Sequence, residues 1–214
     1  MQRLRTDPLT QRYEMTYNIL KMRYGPEHKQ QTHERIVRAA ARRFRSKGAE
    51  GAGIGDLMRD LRLTHGGFYR HFSSKEDLFA EAFAEGLQEV AERVARAVEG
   101  AAAGRELEAL IDAYLDVDHL NDVAGGCPVA TLASEIARRP RVSRGPFLQA
   151  LRAHIRRMER YVPAENDEKR RAKAIALFSG MAGTLTIARA FTEDADRRAI
   201  LDGAKQFYLA AAQR

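Results

Sequence analysis

From Thr32 to the C-terminal region, apolar residues recur three and four positions apart. Nowhere does the chain alternate apolar with polar residues over the length of a half-buried strand. That periodicity confines it to helices that each bury one stripe. Six prolines in 214 residues and abundant alanine agree with an all-α fold. The 44% hydrophobic content supplies a core, so 30% charge does not imply disorder. No repeat of 20–50 residues occurs.

The helices can be placed by their punctuation. Residues 1–28 show no sustained period and read as a flexible basic arm that ends at Gly25–Pro26. Thr32 is positioned to cap a helix whose stripe is Ile36, Ala39, Ala40 and Phe44, with Arg38, Arg42, Arg43 and Arg45 mostly on other faces and Gly48 as its stop. A short helix over 55–62 carries Leu57, Met58 and Leu61. A very short one over 64–71, opened by Thr64, carries Phe68 and Phe72. Ser74 opens a long helix to about Glu99, with Asp77 completing a looser capping box. Further helices are predicted over 105–120, 129–138, 147–162, 172–190 and 195–212.

Charge is concentrated at the front. Residues 1–75 hold 16 Lys and Arg against 7 Asp and Glu, a net of +9, while the rest nets −2. A basic front carrying two short helices and a tight turn suits a helix-turn-helix that meets a polyanion. Phe68 and Phe72 face the core. Thr64, His65, Tyr69 and Arg70 are free to enter a major groove, and Gly67 reduces bulk beside them. Lys75, at a helix start, is placed for a phosphate.

The stretch Ile54–Leu78, IGDLMRDLRLTHGGFYRHFSSKEDL, resembles the helix-turn-helix of the tetracycline-repressor (TetR/AcrR) family. THERIVRAAARRFRSKG before it is similar to that family's first helix, and the match covers about residues 29–79. The resemblance implies a DNA-binding domain over 29–78 and a helical ligand-binding and dimerisation domain over 79–214. It also implies DNA contacts by Tyr69, His71 and Thr32 beside those above. Two positions depart from the family pattern. Gly53 stands where Thr or Ser usually opens the second helix, and Arg62 stands where the turn usually has Gly. Arg62 then either strains the turn or contacts a phosphate. DNA binding stays expected, and the preferred base sequence is what these changes affect.

The body carries fewer signatures. Helix 172–190 is apolar nearly all round, with Ala176, Gly180 and Gly183 allowing close approach. It pairs with 195–212 as half of an intermolecular four-helix bundle, or forms an intrachain core. The resemblance implies the former, a homodimer on a palindromic operator, released when a small hydrophobic or electrophilic ligand alters half-site spacing. Cys127, in Gly125-Gly126-Cys127-Pro128-Val129, falls at a helix N-cap, where a thiol becomes more acidic. It reads as an oxidant or electrophile sensor, or as a small buried hydrophobe. Tyr114, His119, Thr131, His154 and Phe178, with Met158 and Met181, are the candidate ligand-pocket residues.

Other classes are narrowed. One cysteine excludes a disulfide framework and a Cys₄ zinc site within the chain. The six histidines show no metal spacing, so no metal or cofactor is expected. Residues 1–21 lack an apolar leader, and the longest uncharged run, 15 residues between Lys173 and Arg189, is too short to span a membrane; a cytoplasmic location is expected. An enzyme using Cys127 with His119 or His154 as base, and a helical protein-interaction module, are the alternatives to a repressor.

Overall fold

The computed structural model describes residues 26–212, so the expected arm, apart from residues 26–28, lies outside the described residues. Those residues form α-helices and two 3₁₀ turns. The helices are α1 (Pro26–Gly51), α2 (Ile54–Asp60), α3 (His65–Phe68), α4 (Lys75–Glu99), α5 (Glu106–Tyr114), α6 (Val117–Asn121), α7 (Pro128–Arg138), α8 (Gly145–Met158), α9 (Asp167–Ala190) and α10 (Asp194–Ala212). No strand occurs among the described residues.

Several boundaries differ from the sequence reading: α9 already starts at Asp167, α8 ends at Met158 and α3 at Phe68, and two further differences bear on the expected caps. Helix α1 starts at Pro26, where a missing N–H costs nothing in the first turn. Thr32 therefore lies inside the helix and is buried, so it caps nothing. The expected helix 105–120 is two helices. Asp116 interrupts it because its Oδ1 accepts the N–H of Asp118 at 2.7 Å and starts α6 afresh. Other caps fall where expected. Ser74 Oγ accepts the Asp77 N–H at 3.1 Å to open α4, and Pro128 begins α7 after Cys127. Gly48 takes φ +73° and breaks the regular part of α1.

One continuous core joins the front to the body. Phe44 of α1 meets Phe79 of α4 edge-on at 5.0 Å, and Phe79 meets Phe147 of α8 at 5.0 Å. Each such buried ring contributes roughly 1.5–3 kcal/mol. The long helix α4, about 37 Å by its 25 residues, belongs to both regions.

Polar ties reinforce this joint, and the periodicity did not reveal them. Arg45, assigned by its position to an outer face, is 3% exposed. It donates to the Ala124 carbonyl and pairs with Glu89. Gly86 makes this possible, since any Cβ there would collide with the guanidinium. The Ala49 N–H donates to Glu135 at 2.9 Å, and Arg139 pairs with Glu76 while lying over the Phe79 ring.

Candidate nucleic-acid interface and interior cavity

Helix α2 opens at Gly53 in extended backbone with no side-chain cap. The turn after it closes on main-chain bonds, with Arg62 N–H to the Arg59 carbonyl at 2.9 Å and Leu63 N–H to the Met58 carbonyl at 2.8 Å. Arg62 holds φ +58°, the left-handed region that suits glycine, so the family departure does carry strain. Thr64 caps α3 by accepting the Gly67 N–H at 3.2 Å. Gly67 sits where a Cβ would press on Thr64 Oγ1 at 3.3 Å, which keeps the turn tight.

Phe68 and Phe72 are 2% and 3% exposed and stack at 5.4 Å. Burying them turns Thr64, His65, Tyr69 and Arg70 outward, and Tyr69 is 65% exposed. Gly67 and Lys75 lie half-buried at the edges of this face. Two sequence candidates do not join it. Thr32 is buried inside α1. His71 is half-buried behind the face, its ring 6.0 Å from that of His33, and its Nδ1 has no partner. Burial, then the charges of His33, Lys29 and Arg70, lower its pKa. His33 in turn stacks on Phe72 at 4.5 Å and meets Glu81 at 2.6 Å.

The ligand candidates divide in the same way. Tyr114, His154 and Met158 line one cavity of about 180 Å³ between α4, α5 and α8, together with Val94, Leu110 and Tyr161. Phe178 backs it, 4.7 Å from the His154 ring and 6.1 Å from Tyr114. Thr131 is not a liner; its hydroxyl donates to the Pro128 carbonyl within α7. His119 is a structural link. Its Nδ1–H donates to the Tyr114 carbonyl at 2.6 Å, and its Nε2 accepts the Cys127 N–H at 2.9 Å. Burial pushes His119 down to about 4, so the ring is neutral and its tautomer is set by these two bonds.

Cys127 is fully buried. Burial raises its pKa, outweighing the N–H groups of Val129 and Ala130 that favour the thiolate. The expected acidic thiol is thus reversed, because desolvation exceeds the pull of the helix end. The Tyr114 hydroxyl lies beside this thiol and makes no hydrogen bond of normal geometry. A Cys127–His119 pair of the kind an enzyme reading needs is not formed, since His119 Nε2 holds the main-chain N–H of Cys127 and not its sulfur.

Residues 36–82 match the family described as bacterial regulatory proteins, tetR family. The whole fold is similar to a TetR transcriptional regulator from Chloroflexus aurantiacus, with 25% identity, 88% of this chain and 97% of that one covered, and a TM-score of 0.69. It is also similar to a TetR-family regulator from Cytophaga hutchinsonii, at 20% identity, 86% and 96% coverage and 0.67. FadR from Bacillus subtilis, solved with stearoyl-CoA, shares the fold at 17% identity, 82% and 96% coverage and 0.63. No curated protein matches the chain.

Proposed function

Because the chain belongs to the TetR family of bacterial regulatory proteins, we propose that it acts as a homodimeric repressor that a small molecule releases from a palindromic operator. The observation that carries this is the exposed quartet Thr64, His65, Tyr69 and Arg70, held outward by the buried Phe68 and Phe72. Tyr69 and Lys75 serve as backbone contacts that position the domain. Thr64, His65 and Arg70 read base edges.

Dimerisation rests on an uncovered apolar face. Ile175 and Ile187 of α9 and Phe207 of α10 are 41%, 57% and 67% exposed, and nothing lies against Gly183. A second copy covers this face and sets two recognition helices about 34 Å apart on one side of the duplex. Gly180 does different work from that expected, because it admits the Tyr208 ring of its own chain.

Release then needs a route from cavity to front. Tyr114 lines the cavity and touches the Cys127 neighbourhood. The segment before Cys127 holds α1 through Ala124 to Arg45 and through Asp122 to Arg42, the latter at 3.7 Å. A ligand that prefers one setting of this joint shifts the spacing of the two fronts by its differential affinity alone. FadR, solved with stearoyl-CoA, has this fold, which supports a small-molecule ligand for this chain. No helix among the described residues is long and apolar enough to cross a membrane, and a cytoplasmic site of action follows from DNA as partner.

A gel shift on the DNA upstream of the protein's own coding sequence tests the proposal. A specific band is expected, its affinity falling by roughly 0.9 log unit per log unit of salt for each phosphate contact. Lys75→Ala weakens all sequences alike, whereas Arg70→Ala changes which sequence is preferred. A band indifferent to competitor sequence excludes a sequence-specific repressor and favours the protein-interaction module.

A further inference from the structure

His33 lies one turn before Ile36 and Val37, in line with the buried stripe of α1, where an apolar side chain would serve a plain core. It makes two specific contacts there instead. Its ring stacks on that of Phe72, with centroids 4.5 Å apart and planes 25° from parallel. Its Nε2 lies 2.6 Å from the Glu81 carboxylate of α4. A carboxylate accepts, so Nε2 carries the hydrogen and donates it.

Phe72 is the far anchor of the segment expected to meet DNA. Its ring also stacks with Phe68 at 5.4 Å, and its N–H donates to the Phe68 carbonyl at 3.1 Å. Tyr69 and Arg70 lie between these two anchors and are exposed. A chain of contacts therefore runs from Glu81 on α4 through His33 on α1 to Phe72, next to the residues that face outward. An aliphatic side chain at position 33 would fill similar space but carry no hydrogen bond to α4 and no preferred ring plane. The His33 and Glu81 side chains are 24% and 46% exposed, and both border an open groove between α1, α4 and α8. Cutting the link leaves no charge buried, so its loss affects orientation more than folding.

We propose that His33 is a positioning residue for base reading: through its stack on Phe72 and its bond to Glu81 it sets the angle at which Tyr69 and Arg70 meet the duplex. This rests on the reading of α3 as the DNA-reading helix. His33 touches no base or phosphate in this role. It therefore acts on the preference for one sequence over others, and not on the charge that draws any duplex.

Gel shifts with the upstream DNA and with random-sequence DNA, and amide hydrogen exchange, test the assignment on the full-length protein. His33→Ala is expected to lower the ratio of upstream to random-sequence affinity about tenfold, the size of one stacked pair plus one charge-assisted hydrogen bond. Random-sequence affinity stays unchanged, and circular dichroism checks that each variant folds. His33→Phe, which keeps a ring for Phe72, and His33→Gln, which keeps a donor for Glu81, each recover part of the ratio. Adding Glu81→Ala to His33→Ala lowers it little further, because the two residues act as one link. Exchange over residues 64–72 becomes faster in His33→Ala. An unchanged ratio overturns the proposal. So does an equal loss on both DNAs, full recovery by either His33→Phe or His33→Gln alone, or independent losses from the Glu81 and His33 changes. If the unaltered protein shows no sequence preference, the DNA reading fails by itself. Exchange then still decides the link: unchanged rates over 64–72 overturn it, and faster rates uphold His33 as the residue that orders this segment.

Discussion

Arg45 Nη2 lies 2.5 Å from the Glu89 carboxylate, with 1% of the Arg45 side chain exposed. One end of this pair is on the first helix of the DNA-binding region and the other on the long helix that enters the body, so their relative placement is held by a charge that water does not reach. Arg45→Ala is expected to destabilise the protein by about 3 kcal/mol, the low end for breaking a buried pair, because Glu89 retains some solvent. Urea unfolding measures it. A loss below about 1 kcal/mol would show the pair to be energetically idle.

The strain at Arg62 gives an opposite sign. Arg62→Gly removes a left-handed penalty of roughly 1 kcal/mol and adds unfolded-state entropy of similar or smaller size. A small gain in stability is expected in thermal unfolding, whereas Arg62→Val, β-branched at φ +58°, lowers it. If Arg62 also touches phosphate, the glycine variant shows a salt slope shallower by about one contact.

Two caps of the same chemistry separate stability from recognition. Thr64 and Ser74 each accept one N–H three residues on. Thr64→Ala and Ser74→Ala are each expected to cost about 1 kcal/mol. Only the Thr64 change is expected to alter operator preference in a competition gel shift, since Thr64 lies on the exposed face of α3.

His119 and His154 make stability depend on pH. Both fall from 6.5 to about 4 in the folded protein because burial disfavours their charged forms. Between those values the unfolded chain binds more protons, so stability is full above about 6.5 and is lost as pH falls towards 4. The slope is up to roughly 1.4 kcal/mol per pH unit for each histidine. Urea midpoints from pH 8 to pH 5 are expected to stay flat and then drop, and His154→Phe makes the drop smaller. A drop unchanged in that variant argues against His154 as a source.

Cys127 tests the oxidant reading directly. Its buried, weakly acidic thiol predicts slow labelling by a disulfide reagent in the native protein and rapid labelling in denaturant. Fast native labelling, with hypochlorite release of DNA that Cys127→Ser abolishes, would restore a sensing role.

Most of the helices were legible because each obeys local rules: a 3.6-residue stripe, a Ser or Thr cap, a proline at the first turn. The outward quartet of α3 was legible for the same reason, since burying Phe68 and Phe72 leaves Thr64, His65, Tyr69 and Arg70 nowhere else to point. Local rules failed where a distant segment supplied the partner. Thr32 looks like a cap and is interior, because helix α1 gains by continuing back to Pro26. Arg45 looks like a surface charge and is buried, because Ala124 and Glu89, 79 and 44 residues away, close over it.

The amino-acid sequence by itself determined the all-α class, the helix-turn-helix and the face it presents, since these follow from periodicity and capping over a few residues. Only the tertiary structure decided the chemistry of the interior. Cys127 sits at a helix start in both descriptions, and a helix start alone makes a thiol more acidic. Burial beneath segments remote in sequence reverses that direction and leaves the Tyr114 hydroxyl and His154 Nδ1 without hydrogen-bond partners. Desolvation depends on everything that surrounds a residue, and that is set by the packing of the whole chain.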